Sequence, residues 1–181
     1  VIVPLSGDYQ KKNINTVLHA IDAMRDAGID ISDASVLKGL ANVDTLTGLK
    51  GRWTIIQNRP LVIADTGHNV AGITYNMAQL QRLMQDRHNG KLKIVIGFVA
   101  DKAIDKILKL LPADAEYFLT NAQIPRALPV EQLKERFNEA GLDGKCYPDV
   151  KTAYSSALAS ASPEDIVFVG GSTFIVADLL S

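Results

Sequence analysis

The chain has one cysteine, Cys146, among 181 residues. No intrachain disulfide can form and no cysteine-rich zinc site exists, which points to a reducing, cytoplasmic compartment. It has almost no charge imbalance: 19 Lys+Arg against 20 Asp+Glu give a net charge of −1. That leaves no electrostatic footprint for nucleic acid. No apolar run approaches the roughly 20 residues that span a bilayer. The opening "VIVPLSGDYQ" has neither the basic region nor the cleavage pattern of a signal peptide. It also lacks an initiator methionine, and a piece of a longer chain is expected. No H-x-x-x-H metal pair, no G-x-G-x-x-G and no intact G-x-x-x-x-G-K-[ST] occurs. These absences speak against a histidine-paired metal centre, a self-sufficient dinucleotide enzyme and a complete P-loop.

What is present is average for a soluble globular chain, with 47% hydrophobic and 22% charged residues. The length suits one domain, or one domain plus a piece of another. Two helices come first. Asn13 to Ala27 carries Ile14, Val17, Leu18, Ile21 and Met24 at helical spacing and ends at Gly28. Ser32 suits the N-cap of a shorter helix through Leu40. The polar stretch "NVDTLTGLKGR" then marks a boundary.

Beyond it the pattern alternates. Strands are expected at Trp53–Gln57, Leu61–Ala64, Leu92–Phe98, Glu116–Thr120, Lys145–Tyr147 and Asp165–Val169. Helices are expected at Val70–Arg87, Lys102–Leu111, Pro129–Ala140, Val150–Ala161 and Thr173–Leu180. Apolar strands alternating with amphipathic helices predict an α/β, Rossmann-like fold. Its sheet is six-stranded and mostly parallel: five parallel strands, with Trp53–Gln57 antiparallel at an edge. Helices cover both faces, and the two N-terminal helices precede the sheet.

In such a sheet ligands bind beyond the carboxyl ends of the strands. This singles out Asp65–Asn69, Val99–Lys102, Asn121–Arg126, Pro148–Asp149 and Gly170–Thr173. The stretch "DTGHNVAGIT", from Asp65, has P-loop glycine spacing with Ile73 where the lysine belongs. Isoleucine cannot neutralise phosphate charge. A turn at Gly67 and a helix cap at Asn69 explain the glycines without a ligand, but not Asp65 and His68 flanking the same turn. Arg52 in "GLKGRW" stands at the boundary, where a guanidinium either clamps a phosphate or is simply solvated. Gln10 and Asn13 share a turn, as amides that read a base edge or as a helix cap. Ser172, after Gly170 and Gly171, either caps the last helix or holds a small anion. Asp101, Lys102 and Arg126 lie on the same side, with capping and surface-cation roles as the alternatives.

Taken in order, "GDYQKKN", "GLKGRW", "DTGHNVAG", "GFVADK", "PRALP" and "GGSTF" resemble the C-terminal part of the folylpolyglutamate synthase/dihydrofolate synthase family, within the Mur ligase superfamily. The resemblance covers essentially the whole chain. It implies that residues 48–181 are a Mur-ligase-type C-terminal domain. Residues 1–47 would be the tail of an ATPase domain that carries the true P-loop and the magnesium ligands. It implies an ADP-forming ligase that uses ATP and Mg2+ to add L-glutamate to dihydropteroate or folate through an acyl phosphate. These residues would be incomplete without the ATPase domain, and neither nucleic acid nor membrane would be a partner. By position it implies nucleotide contacts at Asn13, Arg52 and Asp65, catalytic roles for Arg52 and His68, and glutamate contacts at His68 and Ser172. No metal ligand falls in these residues.

The departures from the family pattern are Lys50 for proline, Thr66 for alanine or glycine, Val70 for proline and Tyr9 for histidine. None removes a charged or amide side chain assigned to ATP. Without their parent sheet, the helices of Asn13 to Leu40 are expected to bear apolar surface that needs cover, from this domain or from a second chain. A Mur-type ligase domain for another substrate and a non-catalytic Rossmann-like interaction domain are the alternative readings.

Overall fold

The computed structural model describes residues 3–100 and 103–181. Strands β1 (Thr54–Asn58), β2 (Leu61–Ala64), β3 (Leu92–Ile96), β4 (Glu116–Leu119), β5 (Lys145–Cys146) and β6 (Ile166–Gly170) form one sheet in the order β1-β2-β6-β3-β4-β5. The strands from β2 onward are parallel, and β1 pairs antiparallel with β2 at the edge. This is the sheet that the apolar runs predict.

Every residue of β2, β3 and β6 is buried. Alternate side chains feed two cores, as strand geometry requires. Ile63, Ile94, Ile96, Ile166 and Phe168 point to one face. There they meet α4 (Val70–Gln85), α5 (Ile104–Leu108) and α6 (Val130–Glu139). Val62, Val95, Val167 and Val169 point to the other, against α7 (Val150–Ala159) and α8 (Thr173–Leu180). The helices bury residues at helical spacing: Ile73, Met77 and Leu80 on α4, Leu133 and Phe137 on α6.

The topology follows from one handedness rule. Crossovers through α4, α5 and α6 step outward from β2 to β5 on one face. The return from β5 to β6 runs the other way, so α7 must lie on the opposite face. Strand β6 thereby enters between β2 and β3. The chain leaves β2 toward one face and β6 toward the other, which opens a crevice between their carboxyl ends.

At the amino end of the strands, Lys93 is buried but paired. Its Nζ donates to Glu116 Oε2 at 2.5 Å, and Lys91 Nζ donates to Oε1 at 3.1 Å. The Lys93 hydrogen bond, above all, holds the Glu116 carboxyl below its ordinary range.

The N-terminal region is different. Helices α1 (Gln10–Asp26) and α2 (Asp33–Ala41) are followed by a third, α3 (Val43–Thr47), inside the polar stretch that marks the boundary. Ser32 caps α2, accepting from the Ser35 amide. Only Gln10 of α1 is buried and no residue of α2 or α3 is. None of their apolar side chains belongs to either core. The sheet therefore does not supply the cover these helices were expected to need. No helix among the described residues is long and apolar enough to cross a membrane.

Candidate functional site

Asp65 follows β2 at the crevice. Its side chain is 0% exposed, yet four donors converge on it. Oδ1 accepts from the Gly67 amide at 2.7 Å and from Asn76 Nδ2 at 2.9 Å. Oδ2 accepts from the Tyr9 hydroxyl at 2.7 Å and from the Trp53 amide at 2.8 Å. A carboxylate is tolerated in the interior when its oxygens are met in this way. The donors come from four segments: the strap ahead of α1, the turn ahead of β1, the loop after β2, and α4. Burial, and then the Asp65 charge, push the Tyr9 phenol well above its ordinary range, so it remains a donor through neutral pH.

The turn ahead of β1 is bent sharply. Trp53 is left-handed, with φ 58°, a conformation that costs a bulky residue energy. Its amide bond to Asp65 and its indole, buried against Phe168 with ring centroids 6.2 Å apart, hold it there. Gly51, with φ 78°, lets this turn lie on the end of β2. A Cβ there would sit 2.7 Å from Thr66 Cγ2 and 2.9 Å from Val176 Cγ1. The Thr66 amide donates to the Gly51 carbonyl at 2.8 Å. Arg52, between the two, is exposed.

The glycine spacing after Asp65 has a packing explanation. A Cβ on Gly67 would meet Asn76 Nδ2 at 2.8 Å and Asp65 Oδ1 at 2.9 Å. One on Gly72 would meet Gly67 Cα at 3.1 Å. The two glycines lie against each other where the loop folds onto the first turn of α4. Asn69 caps that helix, accepting from the Gly72 amide at 2.8 Å. His68 is half-buried, with Nδ1 3.0 Å from the Thr66 carbonyl oxygen. A carbonyl only accepts, so Nδ1 carries the hydrogen.

Tyr9, Asn13, Arg52, Thr66, His68 and Tyr75 are among the residues lining a cleft of about 240 Å³. The first turn of α4, the positive end of its dipole, borders the cleft at Ala71 and Gly72. The volume falls below the roughly 300–1,000 Å³ of ordinary small-molecule sites. A larger recess, about 510 Å³, lies around Gly90, Lys91 and Leu92. That is the amino end of the strands, opposite to where such sheets bind ligands.

The structure thus brings Asn13, Arg52, Asp65 and His68 to one place. Ser172 is a neighbour that does not line the cleft. It is 3% exposed, and its Oγ accepts from the Phe174 amide at 3.2 Å as the cap of α8. Asp149 likewise caps α7. The Arg126 guanidinium sits over the Phe174 ring at 4.8 Å. Asp101 and Lys102 lie outside the described residues. Asn13 is not a helix cap. Helix α1 begins at Gln10, and Asn13 Nδ2 donates to Gln10 Oε1 at 2.8 Å. The sequence reading missed two members of the Asp65 cluster, Tyr9 and Asn76. Asn76 had a signal: a polar residue on the stripe of Ile73, Met77 and Leu80 needs a buried partner. Among the described residues, no three His, Cys, Asp or Glu side chains gather as metal ligands.

A family model described as Mur ligase, glutamate ligase domain matches residues 51–173. The chain belongs to this family. Dihydrofolate synthase/folylpolyglutamate synthase of Escherichia coli (strain K12) is 31% identical over 162 residues, or 89% of this chain and 36% of that protein. Among solved structures, E. coli FolC in complex with DHPP and ADP superposes with a TM-score of 0.71 at 31% identity, covering 89% of this chain and 36% of that one. A bifunctional folylpolyglutamate synthase/dihydrofolate synthase with Mn, AMPPNP and L-glutamate bound gives 0.73 at 28% identity, with 89% and 37% covered. The chain spans little more than a third of these relatives. In this glutamate ligase domain the match opens at Gly51, one residue before Arg52, and takes in the whole Asp65–Gly72 loop.

Proposed function

We propose that the chain is the C-terminal part of an ATP-dependent, ADP-forming ligase that joins L-glutamate to dihydropteroate, to folates, or to both. Residues 48–181 are its C-terminal domain and residues 1–47 the tail of the ATPase domain. The observation that carries this reading is the small cleft with Arg52 and His68 on its lining, built on the Asp65 cluster at the switch in strand order. It offers a cation, an imidazole and a helix N-terminus, but too little volume for a nucleotide. A half-site of this kind suits a domain that closes over ATP held elsewhere. Magnesium ligands are assigned to the ATPase domain.

In this reading Arg52 clamps a phosphate, and its planar fork is suited to two parallel hydrogen bonds. His68 stands near the phosphates and the incoming glutamate, whose amine attacks the activated carboxyl carbon as phosphate leaves. Asn13 offers its amide to the nucleotide. Asp65, covered by four donors, acts on the nucleotide through the residues it holds in place. A glutamate contact by Ser172 requires its hydroxyl to turn from the Phe174 amide. Closure excludes water and orients the attack. A cytoplasmic location fits the single cysteine.

The test is turnover of the full-length enzyme with glutamate and either dihydropteroate or a reduced folate, read as ADP release. Arg52→Ala and His68→Ala are each expected to lower kcat/KM by about 10²-fold or more. Near wild-type turnover of both variants would remove these roles. Activity with neither acceptor would favour a Mur-type ligase for another substrate.

A further inference from the structure

Four segments meet at one carboxylate, and three of them carry a cleft residue close to the donor. The Trp53 amide follows Arg52, the Gly67 amide precedes His68, and Tyr9 lies one helical turn before Asn13. The Tyr9 end is also fastened independently. Gln79 on α4 grips the strap twice, accepting from the Asp8 amide at 2.9 Å and donating to the Ser6 carbonyl at 3.0 Å. Arg82 on α4 pairs with Asp8, and Lys12 Nζ lies 5.3 Å from the centre of the Tyr75 ring. Gly7 leaves room for the phenol: a Cβ there would lie 2.7 Å from Tyr9 Cε1. The hydroxyl is therefore pre-placed by contacts that do not involve Asp65.

We propose that Tyr9 is a positioning residue for the cleft. By donating to Asp65 it sets the Arg52 turn and the Gly67–His68 turn together, so docking of the strap on α4 and shaping of the cleft are one event. Loss of the phenol leaves Oδ2 with the Trp53 amide as its one donor, and a buried carboxylate oxygen short of a donor turns toward another. Rotation of Asp65 would release the left-handed Trp53, and with it Arg52. A histidine at this position would also donate, but its charge would change near neutral pH. A phenol keeps the same donor throughout. The functional consequence rests on the nucleotide half-site reading; the coupling itself does not.

The test compares ¹⁵N-labelled wild-type chain with Tyr9→Phe, Asp65→Asn and the double variant, and measures the KM for ATP of the full-length enzyme carrying each change. In Tyr9→Phe the amides of β3 and β6 are expected to stay in place. The Trp53 and Gly67 amides and the His68 ring nitrogens shift together, and the KM for ATP of the full-length variant rises about tenfold. The double variant is no worse than Asp65→Asn, because both act through one contact. Shifts confined to residues 6–13, or losses that add, overturn the proposal. If Asp65→Asn unfolds the chain, the His68 ring signal in Tyr9→Phe decides alone. If the three signals move together while the KM for ATP of the full-length enzyme stays at the wild-type value, the half-site reading falls and the coupling stands. Unmoved signals with an unchanged KM for ATP leave the half-site reading and remove the role of Tyr9.

Discussion

From Gly51 onward the large apolar side chains are almost all inside, with Ile55 and Ile56 on the edge strand and Val70 the exceptions. In residues 3–50 the reverse holds: Val17, Leu18, Met24, Ile29, Leu37, Leu46 and Leu49 all face solvent. Both regions carry apolar residues at helical spacing. Only the first has a sheet to receive them. The contrast teaches that an amphipathic pattern specifies a helix locally but does not specify what the helix packs against. The two regions touch at the strap, where a phenol reaches the buried carboxylate and α4 holds the backbone of Ser6 and Asp8.

The sharpest way to break this comparison is to truncate side chains on both sides of it. Phe168→Ala is expected to cost about 3–5 kcal/mol in urea unfolding. Leu18→Ala and Leu46→Ala each stay within about 0.5 kcal/mol. Equal costs would mean that the helices have a hidden partner. The glycines give the next largest contrast. Gly51→Ala places a Cβ against Thr66 and Val176 at positive φ, and is expected to cost about 1–3 kcal/mol. Gly39→Ala, inside α2 with nothing near its Cβ, should stabilise the chain by up to about 1 kcal/mol.

Tyr9→Phe tests the joint between the regions and should cost about 1–2 kcal/mol of stability, since the lost bond had a charged acceptor. A cost near zero would separate them. The smallest effect is on pH. Glu116 has a lowered folded value, so its contribution is complete above its ordinary value near 4.5 and is lost as pH falls through the lower folded one. Stability measured down that range should decline less steeply in Glu116→Gln.

The parallel sheet was legible because β2 and β6 are continuous apolar runs, and β3 one broken only by Lys93, between glycine- or proline-bearing turns, a pattern with one economical interpretation. The ends were less so. Trp53 reads as strand by composition, but its left-handed backbone is imposed by Asp65, twelve residues on. Helix α3 hides in "VDTLT", whose β-branched and polar residues have weak helix propensity. Of the candidate site, Asp65 and His68 stood out because they flank one turn at a strand end, and Arg52 through the family resemblance, since a boundary arginine by itself is explained by solvation. What the sequence could not disclose was that the Asp65 carboxylate faces inward. That depends on donors far along the chain, which no local pattern encodes.

One feature of the topology bears on how the chain acquires its shape. Strand β6 follows every other strand in sequence yet lies between β2 and β3. Without Ile166–Gly170, the pair β1–β2 and the trio β3–β4–β5 share no hydrogen-bonded edge. The carboxyl-terminal stretch acts as a keystone, and such long-range closure makes for slow, late assembly. A chain halted before Ile166 would hold both halves and no arch.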